Sequence, residues 1–323
     1  MGKPCPLKKM VLIIFFGADN RSHTYTMGKE FHFAADTDNG TEKHMQTAPS
    51  ERIGSYPQGS VLVVAGSDSG GGAGIQADIK TIILLGGYAT TAITSLTAQN
   101  TLGVQSIHAV PADFMAAQLD AVLSDITVDI IKTGMLFSGE LIEVLAERLT
   151  RHRKTPVVID PVMVAKGGKR LMDSGALATF EGRLLPGSYL VTPNIPEAEC
   201  LTGLKILDEE GMVEAARVLR RMGAQNVLVK GGHMGGKDSV DILLDGNVIH
   251  RYGASRIQHG NTHGTGCTYT SAISVLLAQG EKLPMAVSRA KEFITKAILY
   301  ARPMGKGHGP LNHYRAARNF GSG

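Results

Sequence analysis

The sequence predicts an α/β fold: a central, mostly parallel sheet with helices on both faces and an antiparallel hairpin at one edge. From residue 60 onward, short β-branched runs alternate with amphipathic stretches of helical period, which is the pattern of strand–helix–strand units. The run Val61-Leu-Val-Val-Ala65 is apolar at every position, as a strand covered on both faces requires. Asp245-Gly246 stands between two apolar runs and signals a type I′ turn, which joins antiparallel strands.

Taken in order, residues 1–59 show no sustained period and are expected to be a poorly ordered extension. Lys8 and Lys9 ahead of the apolar run 10–16 imitate a signal peptide, but a small-residue cleavage site is lacking. A domain over residues 60–312 follows, with a tail at 313–323. Its β-branched runs at 60–65, 88–98, 128–132, 157–160, 189–192 and 226–230 predict strands. The stretches 73–85, 113–125, 139–152, 174–184 and 212–222 predict the helices between them. Residues 241–244 and 247–252 form the edge hairpin, and 269–278 is a buried helix stopped by Gly280.

Composition narrows the function. The 323 residues are 43% hydrophobic with a net charge of +4, which suits a large core and offers no basic stripe for nucleic acid. Residues 81–107 carry no charged side chain, yet their Thr, Gln, Asn and Gly make a membrane span unexpected. Cys5, Cys200 and Cys267 fit neither a disulfide framework nor a zinc site, so a reducing cytoplasm is expected.

Two glycine loops carry chemistry. Asn261-Thr-His-Gly-Thr-Gly-Cys-Thr268 runs into the buried helix at 269–278. Its glycines permit positive φ and close approach, and the unpaired N–H groups of the helix's first turn suit a phosphate. A plain glycine turn before a core helix is the alternative reading of the octet alone. Cys267 sits in that first turn, where a thiol has a lowered pKa and can be a thiolate. The other loop, Gly66-Ser-Asp-Ser-Gly-Gly-Gly-Ala-Gly-Ile-Gln-Ala-Asp78, contains a formal dinucleotide fingerprint at 72–77. No acidic residue lies between Asp78 and Asp113 to hold a ribose, which argues against NAD. No Walker-type Gly-x-x-x-x-Gly-Lys-Ser/Thr occurs either.

Taken with Ala98-Gln-Asn-Thr101, Lys132-Thr-Gly-Met135, Asp160-Pro-Val-Met163, Thr192-Pro-Asn-Ile-Pro-Glu197 and Lys230-Gly-Gly-His233, the two loops give seven motifs in order. Across about 61–312 they resemble the hydroxymethylpyrimidine/phosphomethylpyrimidine kinases of thiamine biosynthesis, in the ribokinase superfamily. Pyridoxal kinases are similar too. The resemblance implies a ribokinase-like fold, ATP and Mg²⁺ as cofactors, a small pyrimidine substrate and a homodimer. It implies that Gln99 and Asp78 hold the aminopyrimidine, with Gly66, Ala73, Met135 and Val162 walling the ring. From the residues alone, Gln99 reads as a loop amide, Asp78 as a first-turn helix charge and Met135 as core.

The resemblance further implies that Asn194, Glu197, Asp160 and Thr192 serve ATP and Mg²⁺, with Glu197 reaching the metal through water, while Lys230 lies near the transferred phosphate. By its spacing alone, Asn194 to Glu197 also reads as a helix start with Pro196 in the first turn. Gly264, Thr265, Gly266 and Cys267 would cradle the γ-phosphate. Sugar kinases of the superfamily carry an Asp base where this chain has Cys267. A neutral thiol there suits two successive acceptors, an alcohol and then its phosphate. Ser69-Gly70 stands where the family commonly has Pro-Ser, so the loop at 69–72 is expected to be a mobile lid. Besides the kinase readings, the sequence leaves a non-catalytic binding homologue as the alternative from another class.

Overall fold

The computed structural model describes residues 11–15, 22–26, 57–163, 172, 174–258 and 260–320. The chain divides into two compact units, residues 1–52 and 53–323. In the first, β1 (Val11–Phe15) and β2 (Ser22–Thr26) pair antiparallel. The rest of the expected N-terminal extension up to residue 56 lies outside the described residues.

The second unit opens with β3 (Ser60–Asp68), α1 (Gly74–Leu84), β4 (Tyr88–Asn100), β5 (Gly103–Ala109) and α2 (Ala112–Asp125). It continues through β6 (Ile130–Thr133), α3 (Gly139–Leu149), β7 (Val157–Ile159) and α4 (Ser174–Thr179), which widens into a π-helical turn at Phe180–Leu184. Then come β8 (Leu190–Val191), α5 (Ile195–Thr202), α6 (Glu209–Arg221), β9 (Asn226–Lys230), β10 (Asp238–Asp245) and β11 (Val248–Ser255). The helices α7 (Thr265–Ala278), α8 (Leu283–Leu299) and α9 (His313–Arg318) close the chain.

The sheet runs β11-β10-β9-β8-β7-β6-β3-β4-β5. Its interior, from β9 through β3 to β4, is parallel. β10 and β11 form the expected hairpin at one edge, and β5 pairs antiparallel with β4 at the other. That second antiparallel edge was not anticipated, because the stretch from Ser95 to Ala109 lacks a two-residue turn signal of the Asp-Gly kind.

Alternation along β3 builds two cores. Leu62 and Val64 pack into one with residues of α2, α3, α5 and α6; Val61, Val63 and Ala65 pack into the other with α1, α7 and α8. Such burial is worth about 1.5–3 kcal/mol per large aliphatic side chain, so a strand covered on both faces must be apolar throughout. α8 went unassigned in the sequence, although Leu283, Ala286, Val287, Ala290, Phe293, Ile294 and Ala297 are buried at helical spacing. α9 also occupies part of the expected tail, with His313 and Ala316 buried. α7 is buried nearly all round, and its serine hydroxyls find partners inside: Ser271 Oγ donates to Asp78 at 2.7 Å and Ser274 Oγ to Thr270 O at 2.8 Å.

Candidate active site

The carboxyl ends of the parallel strands deliver most of the polar side chains. Asp68 ends β3, Asp160 follows β7, Asn194 follows β8 and Lys230 ends β9. They open onto one cavity of about 860 Å³ whose lining also includes Gly66, Ala73, Gln99, Met135, Val162, Glu197 and Gly264 to Cys267. This is where ligands collect in open α/β sheets.

Each glycine loop has a geometric reason. A side chain at Gly66 would come 2.6 Å from Met135 Cε and 2.8 Å from Ser95 Oγ, so glycine there lets Met135 reach the cavity wall. Gly264 has φ +83° and caps α7, and a Cβ on it would collide with the Gly72 carbonyl. Gly266 abuts the Lys230–Asp160 pair, since a Cβ would lie 3.5 Å from Lys230 Nζ and 3.2 Å from Asp160 Oδ2. The first turn of α7, the positive end of its dipole, therefore packs at Gly266 against a cation.

That cation is well held. Lys230 Nζ lies 2.8 Å from Asp160 Oδ1, both side chains being nearly buried. Burial works against its charge, but Asp160 and Glu197 more than offset this and hold the Lys230 ammonium above its usual range. Glu197 forms a capping box with Asn194: Asn194 N donates to Glu197 Oε2 at 2.9 Å and Glu197 N to Asn194 Oδ1 at 3.0 Å. The Asn-x-x-Glu pattern is thus a helix start as well as a cavity wall. Burial, reinforced by the Asp160 carboxylate, pushes the Glu197 carboxyl up to about 7 despite Lys230 nearby.

The arrangement can grip a polyanion beside a wall that includes Ala73, Met135 and Val162, which suits phosphoryl transfer to a ring-borne acceptor. The phosphomethylpyrimidine kinase family model matches residues 68–312, about three quarters of the chain. The chain belongs to this family. It is 62% identical over 264 residues to the thiamine biosynthesis bifunctional protein ThiED of Geobacter sulfurreducens, covering 82% of this chain and 54% of that one. The chain thus spans about half the length of that relative. It is 46% identical to the hydroxymethylpyrimidine/phosphomethylpyrimidine kinase of Haemophilus influenzae over 80% of this chain and 97% of that protein. Among solved structures, an ADP complex of Bacillus subtilis pyridoxal kinase aligns at TM-score 0.75 and 34% identity, over 81% of this chain and all of that one. A phosphomethylpyrimidine kinase from Clostridium difficile aligns at 0.67 and 40% identity, over 74% of this chain and 99% of its own. The ribokinase-like fold and the kinase class expected from the motifs are those of these relatives.

Three expectations for this kinase need correction. Asp78 does not reach the cavity: it is wholly buried, 2.9 Å from the Lys132 ammonium, and accepts from Ser271. Burial raises its carboxyl above the usual range, and Lys132 only partly offsets this. Thr192 is likewise enclosed, its hydroxyl 2.9 Å from Thr270 Oγ1 and 3.2 Å from the Ile159 carbonyl. Cys267 does line the cavity, but its thiol is pushed up to about 12. Enclosure is the main cause, and the carboxylates of Asp78 and Asp160 add to it; Lys132 and an N–H from Gly74 do not compensate. The helix terminus loses to desolvation, and the sulfur stays a neutral thiol.

The loop at 69–72 is also tied down. The Asp68 carboxylate accepts N–H bonds from Gly70, Gly72 and Ala73 at 2.8–3.0 Å, and Lys80 Nζ donates to Gly71 O at 2.7 Å. Asp68, Lys132 and His263 were not singled out in the sequence. An Asp inside a glycine run is a typical acceptor for loop N–H groups, so Asp68 left a signal. Lys132 left none, because pairing across the core depends on tertiary placement. Among the described residues, no helix is long and apolar enough to cross a membrane.

Proposed function

We propose that this chain phosphorylates the hydroxymethyl group of 4-amino-5-hydroxymethyl-2-methylpyrimidine with ATP, and then phosphorylates the monophosphate to the diphosphate. The observation that carries this reading is the continuity of one cavity from Gln99 and Met135, past the Gly264–Cys267 turn, to Lys230 and Glu197. The ring would lie against Gly66, Ala73, Met135 and Val162, with Gln99 reading its polar edge.

In the first step the alcohol oxygen attacks the γ-phosphorus, the bond to the ADP oxygen breaks and the alcohol proton leaves. In the second a phosphate oxygen is the nucleophile and needs no base, since its second pKa is about 6. The N–H groups of Gly264 to Cys267 and the Lys230 ammonium would stabilise the charge on the transferred group, each donor contributing about 2.7–4 kcal/mol. Cys267, a neutral thiol, adds no repulsion against an anionic second acceptor. That favours its role as a spacer over that of a base.

Among the described residues no cluster of three or more His, Cys, Asp and Glu could hold a metal. This suits Mg²⁺, which keeps several waters and binds chiefly to the nucleotide phosphates. Asp160 and Glu197 would hold it through water, and its chemistry is neutralisation of phosphate charge. A cytoplasmic, homodimeric enzyme completes the proposal.

Mass spectrometry of products from hydroxymethylpyrimidine with Mg-ATP tests the reading. Appearance of the monophosphate followed by the diphosphate is expected. The similarity to pyridoxal kinases supports a second reading, phosphorylation of a vitamin B6 alcohol. A product with one phosphate from pyridoxal, and none from the pyrimidine, would establish that reading instead.

A further inference from the structure

His263 occupies a place that the phosphate-cradle reading does not use. Its Nε2 stands 3.0 Å from Asp68 Oδ2 and 3.1 Å from the Gln99 carboxamide nitrogen. Asp68 organises the β3–α1 loop, Gln99 belongs to the ring pocket, and His263 is joined directly to Gly264, the cap of α7. Three parts of the site therefore meet at one nitrogen.

One ring nitrogen cannot serve both partners well. As a donor to Asp68 it turns its one N–H close to the Gln99 NH₂, itself a donor; as an acceptor from Gln99 it turns a lone pair towards the carboxylate. Asp68 records the strength of its side of the contest. Burial alone would raise its carboxyl, yet the His263 contact and the loop N–H groups hold it below the usual range. Gln99 is held at its other end by Thr97 Oγ1, 3.2 Å from Oε1. A ring that engages the Gln99 carboxamide competes with His263 for that group.

The consequence reaches the phosphate corner through close packing. A Cβ on Gly72 would lie 2.5 Å from His263 Cδ2, and one on Gly264 would strike the Gly72 carbonyl. The His263 main chain is also fixed, its N–H donating to Gly309 O at 3.2 Å. With so little room, a tighter His263–Asp68 contact draws the β3–α1 loop and the first turn of α7 together.

We propose that His263 is a positioning residue that couples the two ends of the site. An acceptor ring taking Gln99 gives Nε2 wholly to Asp68, which sets the Gly264–Cys267 N–H groups for the ATP phosphates. This rests on the proposed kinase reading with a pyrimidine acceptor. Coupling of this kind is reciprocal, so ATP strengthens acceptor binding by the same factor.

The test is calorimetric titration of a non-hydrolysable ATP analogue with Mg²⁺, with and without saturating hydroxymethylpyrimidine. In the unaltered protein the pyrimidine is expected to tighten analogue binding by about fivefold or more. In His263→Asn and Asp68→Asn, each ligand alone should still bind, but the tightening should fall to within about twofold. His263→Gln, which retains an amide at comparable reach, should restore part of it. A purely structural role would weaken both ligands and leave their ratio intact. Full coupling in a folded His263→Asn or Asp68→Asn variant, or its absence from the unaltered protein when both ligands bind, would overturn the coupling alone. Analogue binding without any pyrimidine binding would overturn the substrate reading and this proposal with it.

Discussion

The Lys132–Asp78 pair offers a prediction whose size follows from burial. Both side chains are wholly enclosed, with Nζ 2.9 Å from Oδ1, and Oδ2 has no partner. Lys132→Met leaves an enclosed carboxyl that must either stay charged without a counterion or take up a proton. The second route limits the cost: from the ordinary value of 3.8, protonation costs about 1.4 kcal/mol per pH unit, hence about 4 kcal/mol at pH 7 and about 1.6 kcal/mol at pH 5. Asp78→Asn makes the opposite demand, because the enclosed amine, ordinarily at 10.5, must lose its proton. That costs about 5 kcal/mol at pH 7 and about 2 kcal/mol at pH 9. The two variants should therefore lose stability with opposite pH slopes. The double variant carries neither charge and should lie within about 2 kcal/mol of the unaltered protein at pH 7, since replacing a buried pair costs far less than breaking it. Urea unfolding at pH 5, 7 and 9 reads all three. A Lys132→Met loss that is equal at pH 5 and pH 7, or a double variant as unstable as the two singles added together, would refute the reasoning.

Three further outcomes are expected. Burial, with Lys80 nearby, lowers the His313 imidazole to about 4 from an ordinary 6.5, so between these values the unfolded chain binds a proton that the native protein refuses. Stability should fall as pH drops through that window, by about 3 kcal/mol in all, and His313→Asn should flatten that slope in acid-unfolding curves. Gly264→Ala puts a side chain at φ +83° against the Gly72 carbonyl, and kcat/KM should drop about a hundredfold or more; near-normal turnover would remove the turn from the mechanism. With its thiol near 12, Cys267 is ionised to the order of one part in ten thousand at pH 8, so iodoacetamide should label the exposed Cys200 first, and peptide mass spectrometry would expose any reversal.

Much of the fold was legible because its signals are short-range. The apolar run in β3, the Asp245-Gly246 turn and the glycine loops are statements about neighbours in the chain, and each appears where local chemistry demands it. α8 was missed although its buried positions keep helical spacing, because Lys and Arg interrupt the run and Pro284 sits near its start. Proline in a first turn, where no N–H is required, is a beginning and not a break.

For the site, the sequence determined the motif order, the family and the glycine turn that caps α7, all carried by backbone geometry that a few glycines dictate. Tertiary structure decided which polar residues face the cavity and in which protonation state. Asp78 became half of an interior ion pair, Cys267 a neutral thiol, and Asp68 with His263 a junction between loops 195 residues apart. The physical reason is that a side chain's charge is set by the carboxylates, amines and N–H groups that share its low-dielectric surroundings, and those neighbours come from distant parts of the chain.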